Sequence, residues 1–444
     1  MTRSTLERWY AAAVAGAHPG PAVAAAIASY QLPAPPGGVH LLAVGKAAHE
    51  MARAAVAALA ARGVAPAGGL VVAHHPAPPP APGVDVAVGD HPIPGAASLR
   101  AAAALGVAAA RIGPADLGVV LVSGGMSSLV ASPIDARLAA DDLAATSRAL
   151  LAAGVPIDVV NAVRKRVSRW GAGRLARALA PARVLSLVVS DVAGDDPAVI
   201  GSGPCAPDPW TAAALRDALA PTGVWSALPP RVRLFLDGDA VETPKAGDPA
   251  FARVDVQIVR TNADARAAAA DAARASGYAM VIHDGWLAGE AAPLGRALTQ
   301  ALTGTLVGTL VAADVSEGAR GIAHVWGGEP TVTLGPTPHT RGGRMQELAL
   351  AAAAALHEAG SRARGIGVLA AGTDGRDGPT DAAGAVVDAT TWAAVRARGR
   401  DPAADLAAHR SYDALDAAGA LLPAAPSGTN VADVVLALRA WETG

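Results

Sequence analysis

Short apolar runs alternate along the chain with longer alanine-rich stretches, and the change-over falls repeatedly at glycine, serine or proline. Val39 to Val44, Val84 to Val88, Leu117 to Val122 and Val184 to Val189 have strand length and are too short for packed helices. Most of these positions are apolar, as in strands buried on both faces of a parallel sheet. The first run breaks at Gly45-Lys46 into helix-forming sequence, and the third breaks at Ser123-Gly124-Gly125-Met126-Ser127-Ser128 before another helical stretch. Strand, glycine and helix in repetition predict an α/β fold. Residues 161–180 read as a basic helix, a glycine break and a further helix, with Arg164, Lys165, Arg166, Arg169 and Arg174 expected to face solvent. Proline-rich, irregular sequence from Pro221 to Asp248 marks the approach to a domain boundary. Beyond it, Val254 to Val259, Ala279 to His283, residues 306–312, Ile322 to Trp326 and Gly367 to Ala371 read as strands, so a second βαβ-like unit is expected to begin at Val254. Helices are predicted over 262–276 and from Leu348, and the turn at Pro426 to Asn430 is expected to lead through Asp433 into a last helix.

Composition narrows the function classes. The 444 residues are enough to bury a large core, with 52% hydrophobic but only 3% aromatic side chains, so alanine supplies much of the packing. A formal net charge of −2 and the scarcity of aromatic rings leave neither a basic face nor a stacking platform for nucleic acid, which favours a small-molecule substrate. Cys205 is the single cysteine, so an intrachain disulfide and a cysteine-rich metal site are excluded. The first twenty residues carry Glu7 and Arg8 where a signal peptide would be apolar, and they read as a mature helix of a cytoplasmic protein. Longer uncharged runs are interrupted by Gly, Ser or Thr, so no membrane association is expected.

Several segments carry candidate chemistry. Lys46, after the first strand, is expected at the positive end of a helix, where backbone N–H groups attract anions. The turn Ser123 to Ser128 is the stronger anion cradle: Gly124 and Gly125 let the backbone approach a phosphate closely, while Ser123, Ser127 and Ser128 add hydroxyls. Asp191 follows another strand, and ligands in open α/β sheets gather beyond the strands' carboxyl ends, so Lys46, Ser123 and Asp191 are expected in one crevice. Arg341 and Arg344 flank paired glycines at a helix start and suit a phosphate or carboxylate. Asp374, Asp377 and Asp381 crowd the segment AAGTDGRDGPTDAAG, where like charges ~4 Å apart would repel by about 4 kcal/mol, so the loop needs cations or hydrogen-bond donors. It is not a calcium loop, because Arg376 fills a ligand position and no bidentate glutamate follows. Gly171 to Ala176 fits GxGxx[GA], but a dinucleotide fingerprint needs a strand before it and here a basic helical segment precedes.

Nine ordered segments carry a family resemblance: VGKAA, HPIP, SGGMSSL, NAVRKRVS, SDVAGDDPAVIGSGP, GGEPTVTL, GGRMQELAL, GTDGRDGPTDAAG and SGTNVADV. The chain resembles the class II glycerate kinases, or glycerate 2-kinases with a MOFRL region, a family sometimes labelled hydroxypyruvate reductases. The resemblance implies an N-terminal Rossmann-like three-layer α/β domain over 1–247 and a smaller C-terminal α/β domain over 248–444, with the MOFRL region at about 303–420. It also implies an active-site cleft between the domains in which ATP phosphorylates the 2-hydroxyl of D-glycerate or a related hydroxy acid, and it is compatible with a homodimer. Lys46, Asp191 and Arg344 match the family's catalytic positions. On this expectation Gly45, Ser123, Gly124, Gly125, Ser127 and Ser128 hold nucleotide phosphates, while Asn161, Arg164, Glu329 and Arg341 contact the acid. Asp374, Asp377 and Asp195 are the candidate Mg2+ ligands, although magnesium usually takes only one or two protein carboxylates. Gly171, Met345 and Cys205 depart from the family's lysine, asparagine and threonine, which bears on the identity of the acid. The competing readings are an NAD(P)H-dependent reductase and a non-catalytic hydroxy-acid-binding relative.

Overall fold

The computed structural model describes residues 2–34, 37–153, 155–238, 242–304, 318–334 and 341–441. Two compact units emerge, residues 19–260 and residues 261–444 joined by the first eighteen.

In the unit of residues 19–260, six strands form one sheet: β1 (Val39–Val44), β2 (Gly68–Ala73), β3 (Val84–Val88), β4 (Leu117–Val122), β5 (Arg183–Val189) and β6 (Val254–Arg260). Their order is β3-β2-β1-β4-β5-β6 and every pairing is parallel. β4 is buried throughout, which explains its unbroken apolar run. β2, GGLVVA, is a strand that the sequence analysis did not single out. The expected division at residue 247 falls before β6, whose backbone pairs with β5. Consequently β6 and the next strand belong to different sheets, and the βαβ unit expected from Val254 does not form.

The remaining unit begins with α1 (Thr2–Gly16), which buries Leu6, Trp9 and Ala13. α2 (Gly20–Ser29) lies in the other unit and buries Val23 and Ile27. Residues 2–29 are therefore two helices committed to two different units, although together they are apolar enough and long enough to cross a membrane. Helices of the first unit used below are α3 (Ala48–Ala60), α4 (Ala96–Ala109), α5 (Met126–Leu129), α6 (Ala140–Ala152), α7 (Ile157–Val167), α8 (Arg174–Leu179), α9 (Ala212–Leu219) and α10 (Pro230–Asp237). The second unit continues with α11 (Asn262–Ala275), β7 (Ala279–Leu287), α12 (Ala291–Thr303), β8 (Gly321–Gly328), α13 (Arg344–Ala359), β9 (Ile366–Gly372) and β10 (Ala382–Asp388). It closes with α14 (Thr391–Ala397), α15 (Pro402–Ala407), α16 (Ser411–Ala417), β11 (Leu421–Pro423) and β12 (Asp433–Ala440). The sheet order is β11-β10-β9-β12-β8-β7, and only β7 and β8 run parallel. The helix expected after Asp433 is instead β12, inserted between β8 and β9. Its first six residues are buried, and a short apolar run of this kind has no period that separates strand from helix. The strand expected at 306–312 lies outside the described residues.

Candidate functional site

Strand order reverses direction between β1 and β4, and in an open α/β sheet a crevice forms beyond the strand ends at such a point. Lys46 follows β1 there, and its backbone N–H donates to the Gly124 carbonyl at 2.9 Å. Gly45 has φ +139° and lies so close to Ser123 that any side chain would overlap it. Ser123 is fully buried, with its hydroxyl accepting the Ala47 N–H at 3.0 Å. That hydroxyl therefore closes the two loops together. Ser128 donates to the Pro92 carbonyl at 2.8 Å, which ties the turn to the loop after β3. Gly125 has φ +89°, and a methyl group built on it would stand 3.0 Å from His91 Cδ2 and 3.5 Å from Lys46 Cγ. His91 thus stands with Lys46 over the same glycine. α5 has only four residues.

α7 brings Arg164 to this turn, where Nη2 donates to Ser127 Oγ at 3.3 Å. No carboxylate pairs with Arg164 among the described residues, and burial lowers its pKa. Asn161 lies one helical turn away on the same face and is half-buried. The expectation that all these cations are solvated fails for two neighbours. Lys165 is buried 3.5 Å from Asp208, and Arg166 is buried against Glu242 and the Trp210 carbonyl. Arg174 donates to the carbonyls of Lys165 and Ser168 and so ties off the end of α7. The GxGxxA stretch follows α7 through a turn and opens the six-residue α8, with no strand before it. Asp191 follows β5, half-buried, and Asp195 lies in the next turn with φ +51°.

In the second unit, Arg344 opens α13. Its Nε and Nη2 donate to Asp433 at 2.6 and 3.2 Å, and Nη1 donates to Glu329 at 2.7 Å. Burial works against the guanidinium's charge, but Asp433 and Glu329 outweigh it and raise its pKa. Burial pushes Asp433 up to about 7 despite Arg344. Asp377 accepts the Met345 and Gln346 N–H groups at 3.2 and 2.8 Å, capping α13, and burial pushes it up to about 6. Tyr10 on α1 donates its hydroxyl to the Gly372 carbonyl at 2.6 Å, at the start of the aspartate-rich loop. Burial and the charges of Asp374 and Asp433 raise its pKa. Asn262 donates to the carbonyls of Val431 and Asp433 at 2.8 and 3.0 Å, fixing the start of β12. Sequence reasoning missed Tyr10, Asn262 and the role of Asp433, since each meets its partners across a long span of chain.

The three crowded aspartates do not share a ligand. Asp374 accepts the Arg376 N–H at 3.1 Å, Asp377 is the helix cap, and Asp381 pairs at the surface with Arg341 at 3.2 Å. Asp195 lies in the other unit. No group of three His, Cys, Asp or Glu side chains suited to a metal occurs among the described residues. Asp377 in particular does not fit a metal ligand's part, with both oxygens engaged by amides. The departures Met345 and Cys205 are core residues, and burial pushes the Cys205 thiol up to about 12. Gly171 is packed against Ser202, leaving a Cβ only 3.1 Å from it.

Comparison with known proteins gives a consistent set of matches. Residues 5–237 match a domain of unknown function, DUF4147, and residues 322–433 match the MOFRL family. An Agrobacterium vitis protein provisionally named a hydroxypyruvate reductase is 39% identical, covering 97% of this chain and 93% of its own length. Glycerate 2-kinase of Pyrococcus horikoshii is 33% identical, covering 92% of this chain and 89% of its own. The crystal structure of glycerate kinase from Thermotoga maritima is similar with a TM-score of 0.80 at 31% identity, covering 98% of this chain and 99% of that one.

Proposed function

The chain belongs to the glycerate 2-kinase family with a MOFRL region, and from that premise we propose that it transfers the γ-phosphoryl group of ATP to the 2-hydroxyl of D-glycerate or a related small 2-hydroxy acid. The observation that carries this reading is the turn 123–128 beyond β4, surrounded by Lys46, His91 and an Arg164 that has no carboxylate partner among the described residues. Such a place calls for an anion. Phosphoryl transfer needs positioning and positive charge more than covalent help, which matches an inventory of cations and glycine turns.

On this reading Lys46 supplies positive charge beside the bound acid, and Asp191 orients the hydroxyl and takes up its proton. Arg344 is required for turnover too, with Glu329 and Asp433 holding its fork in one orientation. Mg2+ would supply positive charge to the nucleotide phosphates and enters only as the companion of ATP, because the aspartates among the described residues form no group suited to hold it. The reductase reading is disfavoured by the helix before the GxGxxA stretch.

Incubation with magnesium-ATP and a panel of 2-hydroxy acids, followed by ADP measurement and mass analysis, tests the proposal. The expected result is stoichiometric ADP and a phosphorylated acid, without hydroxypyruvate-dependent NADH oxidation. Absence of any phosphorylated product from acids that demonstrably bind would sink it.

A further inference from the structure

The turn 123–128 cannot serve every anion equally, and its hydrogen bonds show what remains available. The Ser123 hydroxyl is buried on the Ala47 N–H, and the Ser128 hydroxyl is spent on the Pro92 carbonyl. The helix that follows is a single turn of four residues, and its Ser128 and Leu129 N–H groups are both taken by the Gly125 carbonyl at 3.0 and 3.1 Å. What faces the turn is compact and mostly side chain: the Arg164 fork on Ser127, with Lys46 and His91 about Gly125. Arg164 is the telling group. A half-buried guanidinium whose one hydrogen-bond partner is a neutral hydroxyl is best completed by an anion, and no carboxylate does so among the described residues. Its planar fork matches a carboxylate in two parallel hydrogen bonds. One turn earlier on α7, the Asn161 amide makes no hydrogen bond among the described residues and can read a hydroxyl beside that carboxylate.

We propose that Arg164, Ser127, Lys46 and His91 form the carboxylate subsite for the hydroxy acid, and that the turn 123–128 is not the cradle for the ATP phosphates. This rests on the kinase reading for the choice of acid. Gly125 is then a specificity position as well as a turn residue, because a side chain there would fill the space between His91 and Lys46.

Calorimetric titration of the full chain with D-glycerate, with glycerol as the probe lacking the carboxylate, and with ADP separates the two anions. Arg164→Gln is expected to weaken D-glycerate binding about tenfold or more, to leave ADP binding within a factor of about two, and to erase the preference for D-glycerate over glycerol. Arg164→Lys, which keeps the charge but not the fork, should recover part of the loss, and this rescue guards against a variant that merely folds poorly. Weakened ADP binding with D-glycerate unaffected would overturn the assignment, as would no effect on either. Failure of the kinase reading looks different: wild-type protein would bind D-glycerate through Arg164 yet form no phosphorylated product.

Discussion

Arg344 and Asp433 are a coupled pair whose partners make different demands. The Asp433 side chain is 5% exposed, whereas that of Arg344 is 34% exposed and shared with Glu329. Arg344→Ala should therefore cost stability as well as turnover, by about 3–5 kcal/mol at pH 8, because it strands a buried carboxylate. At pH 5 the loss should be smaller, since Asp433 then takes a proton; denaturant titrations at both pH values check this. Lys46→Ala makes the contrast, with turnover expected to fall roughly 100-fold or more while the unfolding midpoint barely moves. A further sign follows from Asp433 alone. A carboxyl whose folded pKa is raised, here to about 7, contributes stability below its unfolded value that is lost as pH rises through the folded one. Wild type should lose stability relative to Asp433→Asn between pH 5 and pH 8, and a constant difference across that window would contradict the assignment.

At the level of elements, α13 depends on a cap from a distant loop. The N-cap position is Gly343, without a side chain, and Asp377 supplies the acceptor instead to the first amides of the helix. Asp377→Ala is expected to destabilise the second unit by about 1–2 kcal/mol without changing Mg2+ affinity in calorimetry; a large loss of metal binding would restore Asp377 as a ligand. This is also why the loop misleads when read as sequence. Three aspartates within eight positions look like one electrostatic problem. The fold solves it by aiming one at a helix, one at a neighbouring amide and one at a surface arginine.

For the molecule as a whole, the informative feature is that the first eighteen residues belong with the last part of the chain. Leu6, Trp9 and Ala13 are buried to 1% exposure or less, Trp9 packs edge-on against Tyr278, and Thr429 donates to the Ala17 carbonyl at 2.7 Å. Burial of a large apolar side chain is worth about 1.5–3 kcal/mol, so deleting residues 2–16 removes several kcal/mol from that unit. Limited proteolysis of the truncated protein should cut first within residues 261–444 and spare the sheet of residues 19–260.

Sequence by itself determined the apolar strands around β1, β4 and β5 and the glycine turns that follow β1 and β4. Each follows from local composition and strand length, which need no distant partner. It also ordered the segments that carry the family resemblance. Only the tertiary structure decided that Asp433 begins a central strand, that Arg166 is buried, that Asp377 is a cap, and that His91 and Arg164 converge on one turn. The reason is physical. Periodicity and turn chemistry act over a few residues, whereas a buried charge is settled by whichever partner the chain brings back to it. For Arg344 that partner lies 89 positions away.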